Sequence, residues 1–379
     1  GKDRYFSYLT TRAAEDSLLG EGEFIGFGFR TRTDPVNRPM ILEVFESSPA
    51  SEAGMQRGDE ITHVDSGSGY VPVAELLADG TTISDVLGPA EEGVQRGLRL
   101  LRDGVTREVT LVKRTVTIDP VSDAYGVAVF PQAGTPGVGY LNLRTYISTA
   151  DPQLTAAFAQ FRALGLRDYI IDLRYNGGGL LSIAELMNNL LGGARAASDV
   201  QYRLVHNGRK TAENETELFN PKPQSVQPVR VAFVTTGATA SASEINVNAM
   251  APWLEVAIVG EDTLGKPVGQ YAFDLQGCED RLRLVSFKTV NALGQGDYYD
   301  GLASTMKFAC AASDTIAEPL GSPNEGMVAA ALAWLGTGAC TQLMSTKTAR
   351  FKTSRLDATD PYPLPSRPTP AQWWLPGVN

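Results

Sequence analysis

The chain has 379 residues, 43% of them hydrophobic and 20% charged, with a formal net charge of −10. This length allows two or three domains and at least one large core, and the composition excludes a disordered chain. The acidic balance argues against a nucleic-acid groove, which needs a basic stripe, and no run approaches the roughly 18 apolar residues of a membrane-spanning helix.

Residues 1 to about 20 read as helix, ending at Gly20-Glu21-Gly22. Phe24 to Phe29, with Gly26 and Gly28, reads as a loop entering a strand, and Met40 to Phe45 is a second strand. Pro49 to Met55 is a short helix closed by Gly54, and Arg57 to Asp65 is a turn and a third strand. A weak helix spans Ile83 to Leu87, and the Asp103-Gly104 turn joins the arms of a hairpin ending at Val112. From Gly137 strands and helices alternate, which predicts an α/β core. The strands are Gly139–Leu143, Tyr169–Leu173, Val229–Thr235, Val256–Val259 and Arg281–Val290. The helices carry Leu154 to Leu164, run from the Asn176–Gly179 loop to Leu191, and span Ser243–Met250 and Glu325–Leu335. From about Thr346 the chain is polar and then Pro-rich, an extended tail without a core of its own.

Ser241 lies in a small-residue turn, Thr239 to Glu244, just before a helix, and Lys266 follows 25 positions later. A serine hydroxyl is a weak nucleophile unless a base takes its proton. The chain has only 2 histidines, His63 and His206, and neither has a neighbouring motif. A lysine serves as the base where burial favours its neutral amine, so the pair suggests a Ser-Lys hydrolase. Helix capping by Ser241 and a solvated Lys266 are the plain alternatives. Gly260 to Lys266 fits most of a phosphate-binding loop, but Pro267 replaces the hydroxyl residue and a strand pattern follows, which argues against nucleotide binding. Cys278, Cys310 and Cys340 form no CxxC pair, so no zinc site is expected, and no cofactor is implied. Asn214-Glu215-Thr216 is a glycosylation triplet of a kind common by chance.

Ser48 to Ile61, with Ser-Pro-Ala-Ser-Glu-Ala-Gly-Met-Gln-Arg-Gly-Asp-Glu-Ile, resembles the core signature of a PDZ domain. Asp172 to Gly179, Thr239 to Glu244, Gly260-Glu261 and Gly265 to Gln270 resemble, in order, the motifs of the C-terminal processing peptidases of serine peptidase family S41. The resemblance covers residues 3 to 340 or so. It implies an α/β, ClpP/crotonase-like peptidase core over 116–345 and a small, mainly-β PDZ domain over 22–115. Residues 1–21 would then be a remnant of an N-terminal helical region, and 346–379 a tail.

The same resemblance makes Ser241, not Ser243, the nucleophile, Lys266 the general base and Gln270 a partner that orients the amine. Glu244 either supports the site or caps the helix. The amides of Gly178 and Ala242 would form an oxyanion hole. The amides around Gly26, Phe27, Gly28 and Phe29 would take a substrate C-terminus as an added strand. The implied partners are protein or peptide substrates, with no nucleic acid; an oligomer is open. Family members are typically exported, which places the chain outside the cytoplasm of a bacterium, periplasmic or as an outer-membrane lipoprotein. A signal peptide or lipid anchor upstream of Gly1 is therefore expected. An oxidising compartment allows a disulfide. Cys278–Cys310, bracketing the strand 281–290, is favoured over Cys310–Cys340, with three buried thiols as the plain alternative. Pro267 and Gly177 depart from the residues common in the family. A catalytically silent scaffold is the other function open to such a chain.

Overall fold

The computed structural model describes residues 6–34, 36–343, 364–365 and 368–379. The chain divides into two compact units, residues 1–12 with 120–351, and residues 13–119 with 352–379.

The larger unit is built on a six-stranded sheet whose strands lie in chain order: Val127–Phe130, Val138–Asn142, Asp168–Asp172, Arg230–Thr235, Glu255–Gly260 and Phe308–Ala311. The first pair is antiparallel and every later pair parallel. Alternate residues serve opposite faces. Tyr169, Ile171, Val231, Phe233 and Ile258 join the core made with helices Ala150–Ala163, Leu181–Leu191 and Ala242–Met250. Ile170, Ala232, Val234, Ala257 and Val259 pack with Met327, Val328, Ala331, Trp334 and Leu335 of helix Gly326–Thr337. A sheet covered on both faces needs strands with apolar interiors, as Tyr169–Ile171, Val231–Val234 and Val256–Val259 are. The α/β expectation therefore holds.

A second sheet in this unit orders Tyr8–Thr11, Asp280–Asn291, Val200–His206 and Glu215–Leu218, with Val268–Asp274 also paired to Asp280–Asn291. Helix was expected from residue 1, yet Tyr8–Thr11 is a strand, antiparallel to Asp280–Asn291. The partner lies some 270 residues away, so no local pattern reveals the pairing. Helix starts at Arg12 and passes into a π turn, Ser17–Glu21, closed by Gly22 at φ 76°.

The expected Cys278–Cys310 disulfide is not formed. Cys310 pairs with Cys340, at a Cα–Cα distance of 5.5 Å, and Cys278 is a free, exposed thiol. The reason is register: Ala311 N donates to Thr341 O and Leu343 N to Ala309 O, which lays the chain after the last long helix along Phe308–Ala311. Cys278 sits instead in the turn between Val268–Asp274 and Asp280–Asn291.

In the smaller unit, five strands pair in the order Phe29–Thr33, Pro39–Val44, Glu60–Asp65, Gln95–Arg102 and Val105–Val112, with Tyr70–Pro72 beside Glu60–Asp65. Glu23–Gly26 pairs separately with Arg114–Thr117. Phe27, Phe29, Ile41, Leu87, Leu98 and Leu100 are among its buried core residues. Helices Pro49–Glu52 and Ile83–Leu87 start at Ser48 and Thr82, each closing a capping box. The tail was expected to have no core. Residues 344–363 lie outside the described residues, but the end of the chain is packed. Helix Pro370–Trp374 is capped by Thr369, and Trp374, Leu375 and Val378 are buried.

Candidate active site

Three loops leave the carboxyl ends of three neighbouring parallel strands, where open α/β sheets gather their ligand-binding groups. They are 173–180 after Asp168–Asp172, 236–241 after Arg230–Thr235, and 261–267 after Glu255–Gly260. Backbone and side-chain bonds stitch them together. Ala240 N donates to Asn176 O (3.1 Å) and Leu264 N to Thr239 O (2.9 Å). Thr239 Oγ1 donates to Leu173 O (2.8 Å), Ser243 Oγ to Asn176 O (3.0 Å), and Tyr175 N to Thr236 Oγ1 (3.1 Å). The first loop is pinned from below by Arg174, a buried guanidinium paired with Asp172, Asp314 and Glu325.

Ser241 stands at the turn into helix Ala242–Met250 with φ 57° and ψ −117°. That backbone is costly for a residue with a Cβ, on the order of 1–3 kcal/mol, and persists only where its surroundings enforce it. All nine residues of the helix are buried, and Glu244 lies on its first turn. The Glu244 carboxylate accepts Ser241 N–H (3.0 Å) and Lys266 N–H (2.8 Å) on one oxygen and Gly265 N–H (2.8 Å) on the other. One oxygen thus holds the amides of both expected catalytic residues, so these nitrogens lie no more than about 6 Å apart. Glu244 accepts the helix-start amide, as a cap does, and also ties two loops. Burial pushes its carboxyl group above the ordinary value, against hydrogen bonds from Thr263 and from the amides of Lys266, Gly265 and Ser241.

Lys266 is only 7% exposed and Ser241 8%. Lys266 Nζ donates to Gln270 Oε1 (3.0 Å) and lies 5.5 Å from the Phe6 ring centroid. Gln270 Nε2 in turn donates to Phe6 O, which fixes the amide with its oxygen toward the lysine. Four residues along a strand return a side chain to the same face, but a β-bulge falls between Gly269 and Gln270. The role of Phe6 was invisible in the sequence, because it enters on the N-terminal strand.

Gly178 has φ 103°, and a Cβ there would sit 2.9 Å from Ala240 O, Ala242 N and Ser241 Cβ. Only glycine allows this approach. Its N–H, expected to face a reacting carbonyl, donates to Asn176 Oδ1 at 2.9 Å. Ala242 opens its helix, so its N–H has no intrahelical acceptor. Asn176 went unrecognised in the sequence. Its side chain also donates to Leu143 O (2.7 Å), an ordinary turn bond that no spacing distinguishes.

The remaining candidates fall elsewhere. Gly26, Phe27, Gly28 and Phe29 are in the smaller unit, as is His63, whose Nδ1 lies 3.1 Å from Thr62 Oγ1. Asn379 O accepts Gly28 N–H (2.9 Å) and Phe29 N–H (3.3 Å). His206 Nε2 lies 3.0 Å from Tyr271 OH, and Asn214 Oδ1 accepts His206 N–H (2.8 Å). Gly260 to Lys266 leads into strand Val268–Asp274, not into the helix a phosphate loop requires.

The chain resembles known proteases in sequence and in fold. A carboxyl-terminal-processing protease of Synechocystis sp. is 29% identical over 67% of this chain and 56% of its own length. The chain spans about half the length of the curated relatives it matches. A solved Bacteroides fragilis protein assigned to the S41 proteases superposes with a TM-score of 0.68 over 88% of this chain and 87% of that one, at 24% identity. A photosystem II D1 C-terminal processing protease gives 0.51 over 89% and 84%, at 21%. These two likenesses concern the fold. The model of peptidase family S41 matches residues 137–301, a segment that spans all three loops.

Proposed function

We propose that this chain is a serine endopeptidase in which Ser241 is the nucleophile and Lys266 its general base. The observation that carries the reading is the Glu244 carboxylate, which holds the amides of both residues while Gln270 holds the lysine amine. Burial disfavours the ammonium form of a lysine. A neutral Lys266 Nζ then takes the proton of Ser241 Oγ as the oxygen attacks the peptide carbonyl. The Ala242 amide, at a helix start, receives the developing oxyanion. The Gly178 amide joins it once the Asn176 side chain turns away. The tetrahedral intermediate collapses as Lys266 passes its proton to the leaving amine. Water then attacks the acyl carbonyl as Lys266 takes its proton, and the second intermediate collapses as Lys266 returns that proton to Ser241 Oγ, which frees the new carboxyl terminus and restores the pair.

The smaller unit is read as a PDZ domain that receives substrate C-termini at the Gly28 and Phe29 amides. The substrates are then unfolded or C-terminal tail segments of proteins, a class that fits the name of the Synechocystis relative. The Cys310–Cys340 disulfide supports an extracytoplasmic location, since disulfides persist outside the reducing cytosol. One observation favours a second reading, a catalytically silent scaffold: Asn176 already holds the Gly178 amide.

The test is incubation with an unfolded protein, with products read by mass spectrometry. The parent chain cleaves and Ser241→Ala does not, whereas Ser243→Ala, which loses a bond to Asn176 O, keeps most of its turnover. Equal cleavage by Ser241→Ala would remove Ser241 from the mechanism, and no cleavage by the parent chain would favour the scaffold.

A further inference from the structure

The groove along Phe29–Thr33 is filled by the chain itself. Asn379 N donates to Phe29 O (2.8 Å), Thr31 N donates to Gly377 O (2.8 Å), and Arg30 bridges Val378 in antiparallel register. Arg30 Nη1 donates to Pro376 O (3.2 Å). At the end of this added strand Asn379 O accepts the amides of Gly28 and Phe29. Gly28 has φ 85°, and a Cβ on it would meet Ser48 Cβ at 2.1 Å, so only glycine can present that amide. A Cβ on Gly26 would lie 3.1 Å from the Asn379 carbonyl carbon, which places the last residue directly against the loop.

The side chains are read as well as the backbone. Ser84 Oγ donates to Asn379 Oδ1 (2.5 Å), and Asn379 Nδ2 donates to Thr31 Oγ1 (3.0 Å). Asn379, Val378 and Leu375 are all buried, and helix Pro370–Trp374 is packed just before them. Both hydrogen-bond arms of the Asn379 side-chain amide are therefore matched, next to the apolar Val378.

We propose that residues 376–379 are an intramolecular ligand of this groove, and that a substrate tail is recruited only by displacing them. This rests on the reading of the smaller unit as a peptide-binding PDZ domain. The groove is thereby matched to a segment in which an apolar residue precedes a small amide-bearing one. A tethered segment acts at an effective concentration of about 1 mM, so with an intrinsic Kd of about 10–100 μM it weakens binding of a free copy to the intact chain roughly 10- to 100-fold relative to the emptied groove.

The experiment uses the Ser241→Ala chain, so that the probe is not cleaved. A fluorescein-labelled peptide of the sequence 373–379 is titrated by anisotropy against the intact chain and against one lacking residues 376–379. Val378→Glu in the full-length chain is a second way to empty the groove should the truncation unfold the unit, which circular dichroism reports. The expected result is at least tenfold tighter binding to the truncated or Val378→Glu chain, lost when the probe ends in an added Glu-Glu. Equal affinity for intact and emptied chains overturns self-occupancy and leaves the PDZ reading standing. An emptied groove that binds neither this probe nor any other peptide with a free C-terminus overturns both. The peptidase reading is decided separately, by the cleavage test.

Discussion

Glu244→Gln isolates the contribution of the carboxylate that ties the Ser241 turn to the Lys266 loop. The carboxylate accepts three N–H groups, from Ser241, Lys266 and Gly265. An amide has one oxygen. Its better orientation keeps the oxygen toward Ser241 and Lys266 and turns the NH2 toward the Gly265 N–H, leaving a buried donor facing a donor. That costs about 1–3 kcal/mol, and the two surviving bonds lose their charge assistance, about 1 kcal/mol each. Against this, the buried charge is gone, and its raised carboxyl value marks that charge as a native-state cost. The net destabilisation is about 2–3 kcal/mol, or roughly 5–10 °C in Tm for a unit of this size. A displacement of Ser241 relative to Lys266 lowers kcat/KM by roughly 10- to 100-fold.

The pH profile separates positioning from mere stability. Acidification protonates Glu244 above the ordinary glutamate range. A raised native value means that this group's effect on folding is most favourable at low pH and is lost as pH rises through the native value. The inter-loop tie has the opposite sign, because it needs the carboxylate. In the parent chain, log kcat/KM falls with slope one as the lysine protonates and steepens toward two where Glu244 protonates, while the fold persists. Glu244→Gln keeps a slope of one throughout. A Gln variant with the parent Tm and the parent two-step profile would refute the assigned role.

Gln270→Glu places a carboxylate about 3 Å from the lysine amine and stabilises the ammonium, so the pH–rate limb moves upward by about 1–3 units and turnover at neutral pH falls at least tenfold; an unmoved limb contradicts the contact. Burial, with Arg96 nearby, pushes Lys113 down to about 8 while its ammonium donates to Gly88 O and Pro89 O. Its native value lies below the unfolded one, so its contribution to the stability of the smaller unit rises with pH between about 8 and 10.5, and denaturant unfolding of Lys113→Met lacks that rise. Reducing Cys310–Cys340 opens a link across 30 residues and lowers stability by about 3–4 kcal/mol by chain entropy, whereas native alkylation labels one thiol, Cys278. An unchanged melting curve in reductant would contradict the link.

The α/β core was legible because the interiors of its strands are apolar and helices Leu181–Leu191 and Gly326–Thr337 are closed by Gly192 and Gly338. Ser241, Lys266, Gln270 and Glu244 could be singled out because motifs within each loop keep their spacing, and the structure brings the four together. Phe6 and Asn176 were not. Phe6 reaches the lysine only through the pairing of Tyr8–Thr11 with Asp280–Asn291, and Asn176 looks like any turn residue until its side chain is seen holding the Gly178 amide. The cysteine partner was misassigned for the same reason. Proximity in sequence to a strand says nothing of which edge a later segment returns to, and hydrogen bonds from Ala311 and Leu343 decided it.

By itself, then, the sequence determined the local chemistry: the strand and helix periods, the glycines that permit positive φ at 28 and 178, and the residue types of the loops that carry Asn176, Ser241 and Lys266. Tertiary structure alone decided which groups meet. It laid one carboxylate across two loops, joined Cys310 to Cys340, and folded residues 376–379 back against Phe29–Thr33. The physical reason is that local pattern reports conformational preference and burial, which short-range sterics and apolar periodicity fix. Long-range pairing is set by the register of strands distant in sequence, and that is settled only when the whole core packs.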